Sequence, residues 1–106
     1  MIETQNQSIS MVEGEFGEAL EINFTDMSFS SRDTLALRIF KTKGTTIIEK
    51  TYSDVSNNQI ILRLTQQESN KLSPGEYRYE IDWYQDGFFQ ITLLRNKLFR
   101  VLEKRP

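Results

Sequence analysis

The chain has 106 residues, 13 basic against 15 acidic side chains for a net charge of −2, and neither cysteine nor histidine. Without cysteine there is no disulfide framework and no thiolate metal site, and without histidine the commonest general base and a frequent zinc ligand are missing. A hydrophobic content of 38%, with seven Phe, four Tyr and Trp83, is enough for one core; a domain of this length buries roughly 65% of the surface its unfolded chain exposes, so a single domain over residues 1–106 is expected.

Residues 1–7 show no strand or helix pattern and are read as a flexible N-terminal arm. The start, MIETQNQSIS, has neither the basic region nor the apolar run of a secretory signal, and no stretch nears the 18 apolar residues of a membrane helix. A soluble product with no membrane partner is expected. Period-two alternation, the mark of a half-buried strand, begins at Ser8 to Val12 through Ile9 and Met11 and returns at Glu18 to Thr25 through Leu20, Ile22 and Phe24. Thr34 to Thr42 puts Leu35, Leu37 and Ile39 on one face, and the β-branched run Thr45 to Ser53 follows, with Lys43-Gly44 as the turn between them. Asn57-Asn58 then precedes Gln59 to Leu64, where Ile60, Leu62 and Leu64 share a face.

At Thr65 the pattern breaks. Thr65-Gln66-Gln67-Glu68 fits a capping box, which opens one short helical turn near residues 66–72 before Ser73-Pro74-Gly75 ends it. Tyr77, Tyr79, Ile81 and Trp83 alternate with Arg78, Glu80, Asp82 and Tyr84 in the clearest strand of the chain, expected at the centre of a sheet. Asp86-Gly87 is a strong hairpin signal. Phe88 to Arg95 returns from it with Phe89, Ile91 and Leu93 on one face, and a separate last strand is expected over Lys97 to Glu103. Seven to eight strands with turns every eight to twelve residues predict an all-β fold, an immunoglobulin-like, mostly antiparallel β-sandwich.

Chemistry-bearing groups are few. Glu80 and Asp82 leave one face of a strand about 7 Å apart, a spacing used in glycoside hydrolysis, but alternation with aromatic residues reads more simply as the solvated face of a sheet. Asp82 and Asp86 lack the spacing of a calcium loop, the Ser28 to Ser31 loop has no base to activate it, and no phosphate-cradling glycine motif occurs. No catalytic residue, metal site or cofactor is therefore expected. Met1 to Ser31 carries six acids and no base, whereas Arg95 to Pro106 carries five bases and one acid. Either the first and last strands lie together and these charges pair or face water, or they dock neighbouring copies head to tail. The basic tail contains Phe99, yet the acidic remainder argues against nucleic acid. Trp83 and Phe89 are expected to be buried. Tyr84 and Phe88 lie off that face and, with Arg95, Lys97 and Arg100, are the candidate partner contacts.

The stretch Leu62-Arg63-Leu64-Thr65, Glu68, then Leu72-Ser73-Pro74-Gly75-Glu76-Tyr77-Arg78-Tyr79-Glu80-Ile81 resembles small β-sandwich proteins encoded among phage and prophage structural genes. There a strand runs into T-x-x-E/Q and L-x-x-G-x-Y-x-Y-D-I, and a last hairpin reads G-x-x-x-T-L-L-x-G-x-F-x-V; Gly87 to Val101 is the corresponding segment here. Glu13-Gly14-Glu15, Leu20 to Asp26 and Leu35 to Phe40 resemble the opening strands, so the likeness spans Met11 to Val101. Glu80 stands in place of the pattern's Asp and Asn96 in place of its Gly. The group includes the amino-terminal domain of upper-baseplate proteins in lactococcal-type phages. The resemblance implies a non-enzymatic tail or baseplate component, made in the bacterial host cytoplasm and carried in the virion, whose partners are other tail proteins or copies of itself in a homo-oligomer. The alternative is a module binding host-surface carbohydrate or protein, with Tyr84 and Phe88 as stacking groups.

Overall fold

The computed structural model describes residues 3–5, 7–25 and 27–104. Eight strands and one helical turn follow in order: β1 (Glu3–Gln5), β2 (Ser8–Val12), β3 (Leu20–Asn23), β4 (Asp33–Thr42), β5 (Thr45–Tyr52), β6 (Gln59–Leu62), α1 (Gln66–Ser69), β7 (Gly75–Gln85) and β8 (Phe88–Leu102). They form a six-stranded sheet, ordered β1-β2-β8-β7-β4-β5, and a two-stranded sheet, β3-β6. This is an all-β, sandwich-like fold, with β7 inside the larger sheet between β8 and β4. All pairings are antiparallel except that of β2 with β8, which is parallel, from Ile9 opposite Phe99 to Val12 opposite Leu102. The second and last strands are thus neighbours, and β1 lies outside them. Glu3–Gln5, in the segment read as an arm, pair with Ser8–Ser10; Met1, Ile2, Asn6, Asp26, Arg105 and Pro106 lie outside the described residues.

The core follows the alternation. Ile9 and Met11 of β2, Leu35, Leu37 and Ile39 of β4, Tyr77, Tyr79 and Ile81 of β7, and Phe99 and Val101 of β8 are buried against Leu20, Ile60 and Leu62 of the smaller sheet. The rings of Tyr79 and Phe99 meet edge to face with 6.4 Å between centroids, a favoured geometry for aromatic pairs. Thr65 caps α1: its hydroxyl accepts from the Glu68 N–H at 3.1 Å while its own N–H donates to Glu68 Oε1 at 2.9 Å. The Lys50 ammonium donates to the same carboxylate oxygen at 2.9 Å. Burial alone would raise the Glu68 carboxyl, but the Thr65 N–H and Lys50 outweigh it and hold it below the ordinary range. At the start of β7 the Tyr77 hydroxyl donates to the Ser73 carbonyl four residues back at 2.8 Å, tying the chain down where it enters the strand.

One expectation about the sheet is corrected. Phe88 to Arg95 and Lys97 to Glu103 are not two strands but the single strand β8, which runs through Asn96 in a left-handed conformation (φ 53°). Its register against β7 slips three times, between Tyr79 and Ile81, Ile81 and Asp82, and Trp83 and Tyr84. Each slip leaves one extra residue on β8, so side chains that simple alternation places together are turned to different faces.

Candidate functional site

The end of the β7-β8 hairpin is built from a two-residue turn. Asp86 (φ 52°) and Gly87 (φ 85°) both take positive φ, the type I′ geometry whose twist matches that of the flanking strands. Behind the turn lies Asp33, a buried carboxylate. It accepts from the Ser30 N–H at 2.7 Å, the Ser30 hydroxyl at 3.3 Å, the Trp83 indole N–H at 2.8 Å and the Gln85 amide at 3.2 Å. Burial would raise the Asp33 carboxyl, but these donors together hold it below its ordinary range. Trp83 is half-buried, and its ring meets Phe29 at 5.9 Å, which meets Phe24 at 5.8 Å. Outside, Arg32 reaches Asp86 Oδ2 through Nε at 2.8 Å. The hairpin is therefore tied to the β3-β4 connection on both sides.

On the outer face of the larger sheet, Arg38 occupies the centre of a polar network. Its guanidinium donates to Asp82 Oδ2 at 2.6 Å, Glu49 Oε2 at 2.6 Å and the Tyr84 hydroxyl at 3.0 Å, and Thr92 donates to the other Asp82 oxygen at 2.7 Å. Glu80 pairs with Lys43 at 3.3 Å. The side chains of Glu80 and Asp82 are only 15% and 13% exposed. The solvated face expected for these two carboxylates is instead a cross-strand ion-pair network, because strand pairing sets Arg38 opposite Glu80 and beside Asp82. Asp86 pairs with Arg32 at the turn, and among the described residues no three Asp or Glu side chains gather as a metal site would require.

The candidate contacts fall into two groups. Tyr84 is half-buried, its hydroxyl taken by Arg38, whose guanidinium lies 5.9 Å from the ring centroid. Phe88 is 74% exposed at the start of β8. Arg95 is exposed at the middle of β8, Lys97 is half-buried opposite Tyr79, and Arg100 is exposed and pairs with Glu76 at 3.6 Å. From Phe88 to Arg95 the strand covers about 24 Å, so the aromatic and basic candidates do not form one cluster. The N-terminal acids meet the last strand elsewhere: the Glu13 N–H donates to the Leu102 carbonyl at 2.8 Å, and its carboxylate accepts from the Lys104 N–H at 3.5 Å. No protein-family model matches the chain, and no curated protein resembles it in sequence closely enough to count as a relative.

Phe89 corrects the sequence reading. Alternation puts it on the buried face with Trp83, but it pairs with Tyr84 on the outer face and is 56% exposed, its ring edge-on to Tyr84 at 5.8 Å. Ile91 is 51% exposed. The bulges are the cause, and the doublets Phe88-Phe89 and Leu93-Leu94 are their trace in the sequence, since strict alternation cannot send both members of an apolar pair inward. The functional feature missed is the strand edge itself. β2 covers β8 only from Phe99 to Leu102, so among the described residues Phe88–Leu98 pair with β7 on one side and with no strand on the other. Seven residues of that edge, Phe88 to Leu94, carry no charge. Beside it a cleft of about 440 Å³ opens between the sheets, walled by Ile22, Phe24, Met27, Leu93 and Leu94, with Tyr79 at its side. Burial pushes the Tyr79 phenol up to about 12, and its hydroxyl donates to the Gln7 carbonyl.

Proposed function

We propose that this domain is a non-enzymatic assembly component of a phage or prophage tail or baseplate, joining protein partners through the free edge of β8. The observation that carries the contact is the exposure of Phe88, Phe89 and Ile91 along an uncharged, unpaired strand edge. Natural sandwiches guard such edges with charges, prolines or short strands, and an edge left long and apolar is a surface for pairing with another chain. The phage context rests on the resemblance of Leu62 to Ile81 and Gly87 to Val101. The absence of histidine and cysteine and the engagement of both Asp82 oxygens in hydrogen bonds support a binding role over a chemical one.

Sugar binding is less well supported. Tyr84 and Phe89 meet at an interplanar angle of 70°, so they do not present coplanar rings on which a glycan could lie, and the Tyr84 hydroxyl is already engaged. The test of the assembly reading is to mix the purified chain with the tail proteins encoded beside its gene and to analyse induced particles by mass spectrometry. Co-elution that Phe89→Lys abolishes, with the chain present in particles, is expected. Particles that lack the chain would overturn the reading.

A further inference from the structure

We propose that the partner of the β8 edge is a second copy of this chain, paired antiparallel about a twofold axis through Ile91 so that the two six-stranded sheets join. This rests on the assembly reading above and names its contact. The register supplies the first argument. Phe88, Ile91 and Leu94 stand opposite Gln85, Trp83 and Ile81 of β7, which all lie on the inner face, so the bulges set three apolar side chains on that face at equal spacings of three residues. The row is symmetric in spacing about Ile91, with an apolar side chain three residues to either side. Antiparallel self-pairing sets each copy's Ile91 against the other's and each Phe88 against the other's Leu94, on the same face, because directly opposed residues share a face.

The cleft supplies the second argument. Leu94 lines it, so the second copy's Phe88, 74% exposed in the single chain, arrives at the mouth of a space of about 440 Å³ walled by Ile22, Phe24 and Met27. Charge supplies the third. The uncharged run is bounded by Asp86 at one end and Arg95 at the other. Antiparallel pairing brings each Arg95 to the Asp86-Gly87 turn of the other copy, whereas parallel pairing sets like charges side by side. The opposite edge of the larger sheet, β5, carries Glu49 and Lys50 next to Lys43, so head-to-tail growth through unlike edges is guarded and the twofold contact closes on itself.

Sedimentation of the 106-residue chain tests this. A monomer–dimer equilibrium is expected. Ile91→Lys, which faces two lysines across the axis, weakens it by at least about 100-fold, and Arg95→Asp by about tenfold at low salt and less at high salt. Both positions are exposed, so unchanged circular dichroism and Trp83 fluorescence report intact folding. A chain that stays monomeric at millimolar concentration, or a dimer indifferent to Ile91→Lys, overturns the self-pairing. A monomer that still binds a tail protein, and loses it in Ile91→Lys, overturns the self-pairing while leaving the assembly reading in place. A dimer broken by Ile91→Lys supports the self-pairing even where particles lack the chain and the assembly reading fails.

Discussion

Replacing Asp33 by Asn tests whether the buried carboxylate organises the hairpin that presents the β8 edge. The amide keeps one oxygen for Trp83 and Gln85, but its NH2 group now faces the Ser30 N–H, which donates to the carboxylate at 2.7 Å. That bond, made to a charged acceptor, is worth about 1.5–3 kcal/mol, and the two retained bonds weaken as their acceptor becomes neutral. A loss of about 2–4 kcal/mol follows, which lowers the melting temperature of a domain of this size by roughly 10–20 °C. Because the folded carboxyl lies below its ordinary value, the unfolded state binds more protons near that range. The contribution is complete above about pH 4 and is lost as pH falls through the folded value. Urea unfolding followed by Trp83 fluorescence at neutral pH and near pH 3 should therefore show a gap between wild type and variant that narrows in acid. A melting shift under about 3 °C at neutral pH, or a gap that does not narrow, would refute the reasoning.

Three further changes have defined signs. Tyr77→Phe removes the bond to the Ser73 carbonyl from a ring only 3% exposed and should cost about 1 kcal/mol in chemical denaturation. Tyr52→Phe should be neutral or stabilise by about 0.5–1 kcal/mol, because among the described residues the Tyr52 hydroxyl is buried without a partner, and burial with the nearby Glu68 charge pushes its phenol up to about 12. Glu68→Ala, which takes the shared acceptor from Thr65 and Lys50, should cost about 1–2 kcal/mol at neutral pH. That cost should shrink in acid, as pH falls below the ordinary glutamate range and through the lowered folded value.

Much of the sandwich can be read from neighbouring residues. Alternation marked β4 and β7 closely, because burial on one face is a local pattern of period two, and a β-branched run marked β5. Lys43-Gly44 and Asp86-Gly87 marked turns, and Gly44, Asp86 and Gly87 do take positive φ. The Thr65 capping box forms with the predicted partners. These signals lie within a few residues of one another.

What the sequence determined by itself, then, is the set of strands, their turns and the inner faces of the regular ones, since sterics and local hydrogen bonding decide them. Tertiary structure decided which strand neighbours which. The parallel pairing of β2 with β8 joins residues 90 positions apart, and the Asp33–Trp83 bond joins residues 50 apart. It also decided which face each residue of β8 shows. The bulges arise only when that strand is laid against β7, and a shift of one residue reverses a side chain's direction, which is why Phe89 points outward and the Phe88 to Leu94 edge is the exposed apolar surface.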